Sequence, residues 1–92
     1  VTRRQLLVLL RREDACPAAI KWVRQAKGSP AALWRRCRRG MWMAWLVDLA
    51  KVEWNDHVCP DLGGPKCASL IRKQIPWARI EEALTLLLGQ RP

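Results

Sequence analysis

Apolar residues in this chain recur at helical spacing, not in alternation. Leu6, Leu7, Leu9 and Leu10 form a first cluster. Cys16, Ala19, Ile20 and Val23 follow at i, i+3, i+4 and i+7, with Lys21, Arg24, Gln25 and Lys27 on the opposite side. The segments begin and end on recognisable signals. Thr2-Arg3-Arg4-Gln5 has the form of a capping box, which predicts a helix running to about Arg12. Asp14 is the candidate N-cap of the next helix, with Pro17 in its first turn, and Gly28 is a natural stop. Ser29-Pro30 repeats the start signal and predicts a helix over Pro30–Arg39 that buries Leu33, Trp34 and Cys37 and ends or bends at Gly40.

The next segment, Met41 to Val52, is apolar nearly all round. Trp42, Trp45, Leu46 and Leu49 make one stripe, and Met41, Met43, Ala44 and Val47 cover most of the rest. Such a helix belongs in the centre of a fold, here with Asp48 and Lys51 facing water. Asn55–Pro65 is loop chemistry, rich in Pro, Gly and Asp. A short helix over Lys66–Lys73 precedes a break at Ile75-Pro76. A last helix, Pro76–Leu88, turns Trp77, Ile80, Ala83, Leu84 and Leu87 inward. Glu81 and Glu82 sit near its start, where carboxylates favour the helix dipole, and Gly89 caps its end. The expectation is an all-α, single compact domain over residues 1–92, built of five to six short helices around a Trp-rich core.

Composition narrows the function classes. The 92 residues allow one domain, and 50% hydrophobic content with 27% charge is globular. No uncharged run approaches the roughly 18 residues of a membrane span. The apolar run Leu6–Leu10 is too short for the core of a signal peptide, so a cytoplasmic protein is expected. Absence of an export signal also favours reduced cysteines at Cys16, Cys37, Cys59 and Cys67. His57, Cys59 and Cys67 are weak metal candidates. Their H-x-C-x7-C spacing lacks a close C-x2-C pair and an evident fourth ligand, and whether Cys59 and Cys67 bind metal or pair with each other is left open. No cofactor is expected.

Catalytic groups are sparse. The single His, His57, has no orienting partner near Cys59, and no P-loop, G-x-S-x-G or H-E-x-x-H is present. Asp48 and Glu53 do not share a helix face, nor do Glu81 and Glu82. A non-enzymatic protein is expected, with no evident small-molecule substrate.

Charge is the remaining signal. Seventeen basic residues against eight acidic give a net charge of +9. Arg35, Arg36, Arg38 and Arg39 fall within five residues, and Arg3, Arg4, Arg11 and Arg12 lie near the start. If the first three helices pack side by side, these residues form a basic face. Arg presents a planar fork suited to phosphate or carboxylate, so the expected partner is nucleic acid or an acidic protein surface. Twelve of the basic residues are Arg, a bias that GC-rich coding also produces. Sequence-specific base reading is disfavoured for want of a polar recognition helix. An exposed Trp would stack on single-stranded bases, and Trp54, at the loop edge, is the Trp expected to be exposed.

Three phrases carry a resemblance: Asp14-Ala15-Cys16-Pro17-Ala18-Ala19-Ile20-Lys21-Trp22-Val23, Ala32-Leu33-Trp34-Arg35-Arg36-Cys37, and Arg39-Gly40-Met41-Trp42-Met43-Ala44-Trp45-Leu46. Over roughly residues 2–50 they resemble a small helical module of bacterial and phage proteins of unassigned function, some labelled immunity proteins. Met41 stands where that module often has Asp, and its Ala-rich continuation is replaced here by the Pro/Gly loop. The resemblance implies a helical fold and a phage or mobile-element setting. It suggests a second function, an inhibitor or immunity protein acting by protein–protein binding, with a nucleic-acid-handling complex as one target that suits the charge. It carries over no catalytic residue.

Overall fold

The computed structural model describes residues 1–55 and 63–89. They form six helices: α1 Arg3–Arg12, α2 Pro17–Gln25, α3 Pro30–Arg36, α4 Gly40–Ala50, α5 Pro65–Gln74 and α6 Trp77–Gly89. No strand occurs among the described residues. The radius of gyration, 12.4 Å, matches the roughly 12 Å expected of one domain this long. The fold is all-α, as the spacing predicts.

The helix starts follow the sequence closely at two places. Thr2 Oγ1 accepts from the Gln5 amide and Gln5 Oε1 accepts from the Thr2 amide, completing the capping box of α1. Ser29 Oγ accepts from the Ala32 amide at 3.3 Å, with Pro30 at the first position of α3. Elsewhere the boundaries move. Asp14 is not the cap of α2. Cys16 holds that position without a side-chain bond, and Asp14 instead takes a left-handed φ of 56° behind α1. There the Asp14 amide donates to the Arg11 carbonyl and the Ala15 amide to the Leu10 carbonyl, the bond pair of a Schellman close. α4 ends the same way: Lys51 takes φ 57°, and the Val52 amide donates to the Val47 carbonyl at 3.2 Å.

Gly28 does not stop α2, which ends at Gln25 with an extended Ala26. It lies in the turn to α3 with φ 113°, and a Cβ there would come within 3.3 Å of Ala32 Cβ. α3 ends at Arg36, not Arg39. Cys37 is extended, and Gly40 is the buried first residue of α4. Arg38 and Arg39 therefore sit on a linker. Glu81 and Glu82 lie beyond the first turn of α6, which holds no acidic residue, so the dipole gains little from them. Glu81 Oε2 instead accepts from the Val1 amino group at 2.9 Å, and this bond holds its carboxyl below the usual range.

α4 packs against α5 and α6, and α1 against α2. The inner stripe of α4 is Met43, Leu46, Val47 and Ala50; Trp42, Trp45 and Leu49 flank it half-buried. Leu9, Ile71, Ile75, Ile80 and Leu84 are fully enclosed around it. The halves of the chain meet at Trp34. Its indole Nε1 donates to the Ile75 carbonyl at 3.2 Å, and its ring lies 5.9 Å from that of Trp77. Trp54 is half-buried against the core, not exposed. It is held near α5 by Asn55 and Gln74, whose main-chain and side-chain amides bond reciprocally at 2.8 and 3.0 Å.

Two outcomes follow for stability. Trp34→Phe keeps a ring but strands the Ile75 carbonyl. A loss of about 1–3 kcal/mol is expected in urea unfolding, from an unsatisfied buried acceptor. Lys51→Gly removes a left-handed Lys whose side chain has no partner. It should raise stability by about 0.5–1 kcal/mol, the left-handed penalty less the entropy cost of Gly.

Candidate functional site

Every basic residue expected on the binding face is solvent-facing. Arg4, Arg11, Arg12, Arg35, Arg36, Arg38 and Arg39 are exposed and Arg3 is half-exposed. They divide into two groups by what their guanidinium groups touch.

One group closes helix ends. Arg3 Nη2 donates to the Arg24 carbonyl at 2.9 Å, in the last turn of α2. Arg36 Nη2 donates to the Lys27 carbonyl just beyond it. Arg12 Nη2 donates to the Leu87 carbonyl at 3.1 Å, in the last turn of α6. Arg72, half-buried on α5, donates through Nη1 to the Cys37 carbonyl that follows α3. The last carbonyls of a helix have no partner within it and carry the negative end of its dipole, so a cation that donates hydrogen bonds suits them. Arg72 is thereby a structural tie.

The other group is unengaged. Among the described residues Arg4, Arg11, Arg35 and Arg38 meet no hydrogen-bonding or ionic partner, and the Arg39 guanidinium stands 4.9 Å over the Trp42 ring. Among the described residues the one ion pair is Val1 to Glu81, and no Lys or Arg side chain meets a carboxylate. The arginines do not converge on one point. Arg3, Arg24, Lys27 and Arg36 gather at the C-terminal end of α2 through the bonds above. Arg12 lies at the far end of α1, about 13 Å along the axis by helical rise.

The metal candidates fare differently. His57 and Cys59 lie outside the described residues. Cys67 is buried and disulfide-bonded, so it is not reduced as expected and is no thiolate ligand. Among the described residues no three His, Cys, Asp or Glu side chains group as a metal site. Cys16 and Cys37 are free thiols. Burial pushes the Cys37 thiol up, opposed in part by a backbone hydrogen bond from Arg39 and by the Arg72 and Arg39 charges.

One feature escapes the periodicity. Five of the six Trp, Trp22, Trp34, Trp42, Trp45 and Trp77, line a single apolar cavity of about 230 Å³. Spacing sets these Trp on or beside the apolar stripes, but only Trp34 is buried and the other four are half-buried; spacing cannot say that bulky side chains meeting from four helices leave a space between them. No helix among the described residues is long and apolar enough to cross a membrane. No protein-family model matches the chain, nor does any curated protein or solved structure to which it was compared.

The two thiols should differ in reactivity. With an aromatic disulfide reagent at pH 8, exposed Cys16 reacts at the rate of a free thiol. Cys37, buried and with its pKa raised, should react at least about tenfold more slowly until the chain is denatured.

Proposed function

We propose that this chain is a non-enzymatic binding module that docks an arginine-rich surface on an anionic partner, with nucleic acid first and an acidic protein surface second. The observation that carries this reading is the lack of internal neutralisation. Among the described residues no Lys or Arg side chain is ion-paired, although Glu13, Asp14, Asp48, Glu53, Glu81 and Glu82 are present. Surface cations left unpaired at this density produce a long-range positive field, which attracts and orients a polyanion before any specific contact forms. Arg35, Arg38, Arg4 and Arg11 are the residues proposed to meet phosphate or carboxylate. Arg3, Arg12 and Arg36 share that surface, but each already gives a donor to the fold. A guanidinium has five N–H donors, so each can still reach an external oxygen.

Readout of base sequence is not part of the proposal, because the described helices expose only isolated Gln residues, Gln5 on α1 and Gln25 on α2, and not a face of base-reading side chains. A cytoplasmic setting, where nucleic acid is at hand, fits the reading. The disulfide at Cys67 fits it less well, since reducing compartments keep thiols reduced.

Titration against single-stranded RNA and duplex DNA at two salt concentrations tests the proposal. Binding should weaken steeply with salt. The double variant Arg35→Ala/Arg38→Ala should lower the salt slope by about one for each phosphate that is no longer neutralised. The same variant should leave the thermal midpoint unchanged, since neither side chain bonds to the fold. If neither nucleic acid binds in a salt-dependent manner, the nucleic-acid form of the proposal fails. An acidic protein surface is then what an affinity pull-down must recover.

A further inference from the structure

The cavity between the N-terminal helices and α4 has the chemistry of a binding site. Its lining includes no charged side chain and no Ser, Thr, Asn or Gln; the polar atoms it can offer are indole N–H groups and thiols. Native interiors are packed to the density of organic crystals, and voids larger than a water molecule are few. The space here, about 230 Å³, opens to the surface beside exposed Cys16 and Met41 and is a cleft, not an interior packing void. A dry apolar cavity of about 150 Å³ accepts benzene, and pockets for drug-sized ligands begin near 300 Å³. The space here suits one fused pair of rings or an apolar chain of similar bulk.

The opening has the opposite character. Cys16 and Met41, both exposed, stand among the lining residues, Met41 at 62% exposure. Cys16 is the N-cap of α2 and Met41 the second residue of α4. Neither helix has a side-chain cap or an acidic residue in its first turn, so no side chain offsets the positive dipole ends that begin at these lining residues. Arg39, the N-cap of α4, is exposed and holds its guanidinium 4.9 Å from the Trp42 ring, which itself lines the cavity.

From this geometry we propose that the cavity binds a small amphipathic anion. Its aromatic or apolar body enters among Trp22, Trp34, Trp42, Trp45 and Trp77, and its carboxylate, sulfonate or phosphate remains at the opening against Arg39 and the starts of α2 and α4. The body gains apolar burial and offset ring contacts, while the head keeps its water on one side and gains a cation on the other. The cavity adjoins the arginine surface of the proposed function at Arg39, but it takes a small aromatic anion and not a polyanion, so either reading can fail without the other.

The probe is 2-naphthoate, with 2-naphthalenemethanol as its neutral counterpart, each titrated into the ¹⁵N-labelled chain. Indole N–H resonances of the five lining Trp should shift together, with that of Trp54 unmoved. Affinity for naphthoate should exceed that for the alcohol by about fivefold, the worth of one exposed cation and helix-end interaction. Arg39→Gln should remove most of that difference while leaving the alcohol's affinity unchanged. Alkylating Cys16 with N-ethylmaleimide should block both probes. Absence of indole shifts at millimolar probe overturns the site. Equal affinities for the two probes, or an Arg39→Gln variant that keeps the preference, overturn the assignment of an anionic ligand.

Discussion

The fold depends on one buried carbonyl. Pro76 follows Ile75 and forces the chain out of α5 and into α6. The Arg79 amide, which would reach Ile75 in a continuous helix, bonds to Pro76 instead. The Ile75 carbonyl is left inside the core, on a residue with no exposed surface. The indole of Trp34, 41 positions earlier in the chain, supplies the missing donor. A buried acceptor without a donor costs more than an ordinary hydrogen bond gains, so this bond fixes where α3 must lie against the α5–α6 corner. Trp77, packed on the same indole, extends the constraint into α6.

Short helices make such ties necessary. The six helices are 7 to 13 residues long, near or below the length at which isolated helices are marginal in water. Each must draw its stability from neighbours and from the closing of its ends. Backbone bonds close α1 and α4, and arginines donate at or just beyond the ends of α2, α3 and α6. Two of these arginines come from more than 30 residues away in the chain. The end-closing bonds are thus also tertiary ties.

Local chemistry is readable in the sequence where a side chain acts on its own neighbours. The Thr2–Gln5 box and the Ser29-Pro30 start follow from residue type at fixed offsets, and so does the break before Pro76. The left-handed closes at Asp14 and Lys51 are not readable, because their bonds run between backbone groups and no glycine marks them. The ends of α2 and α3 fall earlier than composition suggests for a related reason: helix-favouring residues continue past the point where tertiary packing turns the chain. Trp54 is half-buried despite its loop setting, because loop composition reports the backbone's freedom and not the surface that Gln74 pulls it against. The basic residues are legible as charge. Their division into arginines that hold helix ends and arginines that face water is not, since it rests on bonds across the fold.

That division has a consequence for how such a sequence can change. A guanidinium bonded to a neutral carbonyl keeps its full positive charge. Arg3, Arg12, Arg36 and Arg72 thus support the architecture and contribute to the net charge with the same atoms. Lys offers a single ammonium point in place of the planar fork, and a neutral residue offers no cation to a helix end. A lineage drifting toward neutrality would shed the cations that face water first and these four last. The basicity is in part hereditary to the fold, retained through any change of partner for as long as these six helices keep their ends.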